Sequence, residues 1–180
     1  TIEQLNLMGK FSQLLKDKGF IISMAPPESY FDFTTEEFSL SLKHLNEEWK
    51  EIVPEYNYHA RNAYAYLMAK YGKSIEKQID TFDFVSIQLY ESYSHALYKI
   101  RYEQQPFAVV LAEVVKKYTQ GFWVNFSDEP KTGLNKTFIN FDKSKIVIGL
   151  ANGWATGKAM FIKENDIIVA YKYLKLKELD

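Results

Sequence analysis

The chain is 180 residues long and 47% apolar, and it carries 22 lysines and arginines against 23 aspartates and glutamates. That describes one domain or a large part of one, with enough apolar residues for a sizeable core and no basic excess suited to nucleic acid. No stretch reaches membrane-spanning length, and the lack of cysteine excludes disulfides and thiol chemistry.

Ile2, Leu5, Met8, Phe11, Leu14 and Leu15 recur at helical spacing, and Lys16 to Lys18 followed by Gly19 form a stop signal. Phe20 to Met24 reads as a short buried strand that feeds a rigid loop at Ala25-Pro26-Pro27. Thr34 with Glu37 fits a capping box, opening a helix with Phe38, Leu42, Leu45, Trp49 and Ile52 on one face and a stop near Pro54. A second helix aligns Ala60, Ala63, Tyr64, Leu67, Met68 and Tyr71 ahead of Gly72.

Phe82 to Glu91 is the stretch that organises the rest. Read with period two, Val85, Ile87 and Leu89 form an aliphatic row, and Phe84, Ser86, Gln88 and Tyr90 form the other. A strand buried on both sides, with polar groups at the C-terminal end of one face, suits a parallel sheet or barrel. Ligands in such folds bind at the carboxyl ends of the strands, where Gln88 and Tyr90 sit.

Glu91 to Gln105 reads as a polar, tyrosine-rich loop, and Pro106 stands where a helix would start. Phe107, Val110, Leu111, Val114, Val115 and Tyr118 form the stripe of that helix. Phe122 to Phe126 reads as a short extra strand, Asp128 to Asp142 as a loop or hairpin, and Lys145 to Leu150 as the third buried strand. The last helix starts near Asn165, with Ile167, Ala170, Tyr171 and Leu174 facing inward. Strands alternating with helices in this way predict parallel strands joined by right-handed crossovers. Three strands make an incomplete sheet.

Gly153-Trp154-Ala155-Thr156-Gly157-Lys158-Ala159 looks like a phosphate loop but fails on detail. Its spacer is one residue short, and Ala159 stands where a hydroxyl would bind magnesium. His44, His59 and His95 lie in separate elements without ligand spacing and read as surface or loop residues. Glu28 and Glu91 are the carboxylates just past strand ends, where loops carry function but mostly carry solvent contacts, so a carboxylate facing water is the favoured reading over a catalytic one. Asn125-Phe126-Ser127 and Asn135-Lys136-Thr137 fit the N-glycosylation pattern and favour a secretory route.

Two strand-end motifs carry a resemblance. Ser23-Met24-Ala25-Pro26, followed at the next strand by Phe82-Asp83-Phe84-Val85-Ser86-Ile87-Gln88-Leu89-Tyr90, resembles glycoside hydrolase family 18, the chitinases and chitinase-like lectins. In that family a Met-Ala-Pro segment ends the fifth barrel strand and a Gln-x-Tyr segment ends the sixth, usually followed by Asn or Asp where this chain has Glu91. Ile146-Val147-Ile148-Gly149-Leu150-Ala151 looks like its seventh strand.

The resemblance implies an α/β fold, with residues 1–180 a single partial (β/α)8 barrel domain containing strands five to seven. Such barrels take about 250 residues. The family's Asp-x-x-Asp-x-Asp-x-Glu acid motif does not occur in the sequence, nor does the Trp that ends strand eight have a counterpart. Further polypeptide is therefore expected to complete the barrel. The implied chemistry is substrate-assisted hydrolysis of β-1,4-linked N-acetylglucosamine polymers such as chitin, without cofactor or metal. Tyr90 would be the catalytic positioning group, and Met24, Gln88 and Glu91 would bind substrate. The alternative is a chitinase-like lectin or scaffold that keeps the barrel without the chemistry.

Overall fold

The computed structural model describes residues 1–40, 61–90, 95–151 and 162–179. The architecture is mixed α/β, with a small parallel sheet flanked by helices and a separate antiparallel hairpin. Among the described residues no helix is long and apolar enough to cross a membrane.

The parallel sheet comprises β1 (Ser23–Met24), β2 (Phe84–Gln88) and a third strand introduced below, with β2 in the middle. Val85 and Ile87 are buried to 1% and 0% exposure, while Phe84, Ser86 and Gln88 on the other face keep access to solvent. Burying an aliphatic side chain of this size is worth about 1.5–3 kcal/mol, whereas one cross-strand pair contributes roughly 0.2–1 kcal/mol. The aliphatic row therefore sets which face of β2 turns to the helices. β1 is shorter than the apolar run suggests, because Phe20 and Ile21 are exposed and lie outside the ladder.

Helix α1 (Ile2–Asp17) stops at Gly19, whose φ of 90° is open to glycine and costly for other residues. Most of its apolar row is not what it buries. Leu7, Met8, Phe11 and Leu14 are 48% to 71% exposed, and the inward face is Ile2, Gly9, Gln13 and Asp17. Hydrogen bonds hold that polar face against α2 (Ala63–Tyr71) and the turn after it. Asn6 Oδ1 accepts from the hydroxyls of Tyr66 and Tyr71, each at 2.6 Å. Gln13 donates to the Lys73 carbonyl at 2.6 Å, and the Asp17 carboxylate accepts from the amides of Ile75, Glu76 and Lys77.

Thr34 and Glu37 do not form the expected capping box. Glu37 bridges Asn125 and Ser39 bridges Arg61 in short β contacts, and the helix expected to follow lies outside the described residues. A further departure is α3 (His95–Arg101), a two-turn helix within the stretch that reads as loop. Tyr98, Lys99 and Arg101 hide its short inward face, Ala96 and Leu97.

Helix α4 (Phe107–Gln120) buries the whole stripe read from the sequence. It leads into β3 (Phe122–Asn125), which pairs antiparallel with β4 (Lys136–Ile139). The third parallel strand is β5 (Ile146–Gly149), paired with β2 from Val85↔Ile146 to Gln88↔Gly149. Helix α5 (Glu164–Leu176) packs on α4. Of its expected inward residues, Ala170 is fully buried and Leu174 packs against the core, whereas Ile167 and Tyr171 face out.

Candidate active site

The carboxyl ends of β1 and β2 carry the candidate residues. Gln88 closes β2, where its backbone amide donates to the Pro26 carbonyl at 2.9 Å and its side-chain amide donates to the Ala25 carbonyl at 2.6 Å. The side chain is thus tied across the strand pair rather than swinging free. Tyr90 follows in a turn, after Leu89 donates its amide to the Gly149 carbonyl at 3.0 Å.

Gly149 shows where the Tyr90 ring lies. It pairs with Gln88, so a Cβ there would leave the sheet on the Gln88 face. That Cβ would stand 3.3 Å from the Tyr90 ring edge and 3.3 Å from the Ile87 carbonyl. Gln88 and Tyr90 therefore share one face, with the glycine leaving room for the ring.

Met24 does not join them. The register pairs it with Val85, on the face of the aliphatic row, and it is buried in the core at 4% exposure. The shift by one residue follows from the parallel pairing, since neighbours across a ladder point the same way. Glu91 lies outside the described residues, as do His44, His59 and the Gly153–Lys158 segment.

A second constellation borders this end of the sheet, and one of its members is a histidine that reads as surface in the sequence. After β1, one turn of 3-10 helix (Glu28–Tyr30) leads to Phe31, whose ring stacks on Tyr118 of α4 at 5.5 Å. The Tyr118 hydroxyl donates to the Phe31 carbonyl at 2.6 Å, which anchors the loop in the core. Asp32 is 2% exposed. Its amide donates to Asn62 Oδ1 at 2.8 Å, and Oδ1 of its carboxylate accepts from the Thr34 amide at 2.9 Å and the Thr34 hydroxyl at 2.6 Å. Asn62 holds a left-handed conformation, φ 58°, and also donates to the carbonyls of Thr35 and Glu37.

His95 completes the cluster. Its Nε2 lies 3.4 Å from Asp32 Oδ2 and 3.2 Å from Thr34 Oγ1. The single hydroxyl proton of Thr34 goes to Asp32, so Thr34 accepts from His95 and Nε2 carries a proton. Beside it, the buried Glu28 carboxylate accepts from the Ala96 amide at 3.3 Å. The loop after β1 thereby grips the start of α3, a few residues beyond Tyr90.

Burial works against charge on both groups of this pair, and the pair outweighs it. The His95 imidazole is pushed down by burial and by the Arg61 charge, and held above its ordinary value by the Asp32 hydrogen bond and charge and by Glu28. Burial pushes the Asp32 carboxyl up, but His95 and the two Thr34 hydrogen bonds hold it below the usual carboxylate range. A raised histidine contributes stability that is full below its unfolded value and is lost as pH rises through the folded one. A lowered aspartate contributes above its unfolded value and loses this as pH falls through the folded one. The stability difference between the protein and His95→Gln should therefore be larger near pH 6 than near pH 9, by urea unfolding at each pH. Equal differences at the two pH values would mean that the charged pair is not what His95 contributes.

Among the described residues no group of three or more histidines and carboxylates could hold a metal ion. The arrangement offers an amide and a half-buried tyrosine ring, the ring also bordering a small apolar cavity with Leu97, Ile100 and Phe107, beside the His95–Asp32 pair. No protein-family model, curated protein or solved structure matches the chain.

Proposed function

We propose that this chain is the segment of a family 18 glycoside hydrolase barrel that carries strands five to seven, and that it contributes part of a subsite for N-acetylglucosamine. One observation carries the reading. Gln88 lies on the uncovered face at the carboxyl end of parallel strands whose other face is packed under helices, and the half-buried Tyr90 ring reaches that face over Gly149 while also bordering a small apolar cavity with Leu97, Ile100 and Phe107. In a closed barrel that uncovered face is the lumen, and its carboxyl end is where substrates bind.

The chemistry assigned to these residues is positional. The substrate's own acetamido carbonyl would attack the anomeric carbon, while an acid from outside these 180 residues protonates the leaving oxygen. Tyr90 would hydrogen-bond the acetamido oxygen and hold it in line, and Gln88 would support the same group from the same face. This role rests on Gln88 and Tyr90, without Met24.

The test is turnover and binding of a chitin oligosaccharide by the complete protein. Hydrolysis supports the enzyme, and binding without hydrolysis supports the chitinase-like lectin. Failure of both would remove the family reading.

The same reading requires a polypeptide partner that completes the barrel. β1 and β5 are the edges of the described sheet, and exposed edges invite another strand. Beside them α1 exposes Leu7, Phe11 and Leu14, and α5 exposes Ile168, Val169 and Tyr171. Residues 1–180 expressed alone should self-associate or bind an apolar dye on size-exclusion chromatography. A compact monomer that melts cooperatively would rule the missing polypeptide out.

A further inference from the structure

A cavity of about 360 Å³ lies at the opposite end of the sheet, where β2 and β5 begin. Its floor is apolar, formed by Met68, Phe82, Val85 and Phe141, and its polar rim includes Lys70, Lys73, Lys145 and Asp80. The volume is that of a small-molecule site, apolar with a few convergent polar groups. We propose that this cavity binds a small organic carboxylate with an apolar body.

The charge balance at the rim is the first support. Asp80 is shared, with Lys73 at 2.5 Å from one carboxylate oxygen and Lys145 at 2.5 Å from the other. Lys70 donates to the Tyr66 hydroxyl at 3.0 Å and the Thr132 carbonyl at 2.6 Å, both neutral acceptors. Among the described residues no carboxylate pairs with Lys70. The nearby Asp83 is taken up by Lys16 at 2.5 Å and by the Ile22 amide at 2.8 Å. Three ammonium groups thus face one carboxylate around the cavity.

A bland account of the lysines is that they compensate the carbonyl end of α2. That fits Lys70 and Lys73, which sit at its last turn and just beyond. It does not fit Lys145, which arrives from the segment before β5 and also reaches toward the Phe82 carbonyl at 3.4 Å. Cations converging from two separate elements over an apolar floor match an amphipathic anion, with its body on Val85 and Phe82 and its carboxylate among the lysines.

Calorimetric titration of the full chain with hexanoate, benzoate and hexylammonium tests this, with a thermal melt of every variant. Hexanoate and benzoate should bind with dissociation constants on the order of 1 mM or tighter, and hexylammonium should not bind. Lys70→Met keeps the stem and removes the charge, and should weaken binding about tenfold. Lys145→Met carries the same expectation if Lys70→Met does not fold. Asp80→Asn removes the competing carboxylate and should tighten binding, the opposite of what a purely structural Asp80 would give. No carboxylate binding at about 10 mM, equal binding of hexylammonium, or weaker binding by a folded Asp80→Asn would overturn the proposal.

Discussion

Gly9→Ala should destabilise the protein by about 2–3 kcal/mol or more, although alanine in a helix interior ordinarily stabilises by close to 1 kcal/mol over glycine. A Cβ at position 9 would stand 2.1 Å from Cδ2 of the Tyr71 ring, inside any allowed contact. The ring has nowhere to go. It is buried, its hydroxyl is bonded to Asn6 Oδ1 at 2.6 Å, and it meets the Tyr66 ring edge-on at 6.2 Å. Either α1 lifts from α2, breaking the Asn6, Gln13 and Asp17 bonds, or Tyr71 leaves its site. Chemical unfolding of the two proteins gives the sign at once. A stabilised Gly9→Ala would mean that α1 does not dock on α2 in this register. Gly9→Ala combined with Tyr71→Ala should show a non-additive recovery, because the clash that makes the first change costly is gone.

The same helix shows what sequence periodicity can and cannot tell. Its apolar row correctly announces a helix, because spacing of 3.6 residues depends only on local geometry. Which side faces inward depends on what is present to cover it. Here the inward side beyond Ile2 is a line of small and polar residues, of which Gln13 and Asp17 are satisfied by partners distant in sequence, Asp17 by the amides of residues 75 to 77. Helix α4 was legible in full because its apolar stripe and its buried stripe coincide. Helix α3 was not, since Tyr98, Lys99 and Arg101 mask a contact face of two residues.

The site divides along the same line. Gln88 was legible on the polar face of β2 because a strand alternates strictly up to its last residue, whereas Tyr90 lies in the turn beyond and its side is fixed by the ring's place over Gly149. Met24, which the resemblance names as a substrate-binding residue, turns with Val85 to the aliphatic side, a placement that could not be foreseen because the register between two parallel strands is not written in either strand alone. The cluster of Glu28, Asp32 and His95 joins residues more than sixty positions apart, as the 61-residue separation of Thr34 and His95 illustrates. Glu28 drew notice by its place after a strand. For Asp32 the only local signal was the Asp-x-Thr turn that its carboxylate closes, and for His95 there was none.

Tyr90→Phe should leave the fold nearly intact and, if the complete protein is an active chitinase, cost on the order of 10²-fold in turnover, about 3 kcal/mol. The ring's position owes nothing to the hydroxyl in this respect: it rests over Gly149, and phenylalanine keeps the same ring there. On the proposed reading, the change would remove one oriented donor to the acetamido oxygen as charge develops on the oxazolinium-like intermediate. An interaction that strengthens toward the transition state is lost from turnover more than from substrate affinity, so KM should move little while kcat falls. Gly149→Ala supplies an independent check. Its new methyl would sit 3.3 Å from the ring edge and displace the hydroxyl without deleting it, so turnover should fall there too, with the hydroxyl chemistry intact. Both variants are assayed on a chitin oligosaccharide alongside thermal melts. A lectin would show no turnover before or after, and at most a modest loss of oligosaccharide affinity in Tyr90→Phe. Unchanged turnover at unchanged stability in Tyr90→Phe would take the hydroxyl out of the mechanism, and Gln88 alone could not hold the acetamido group in line.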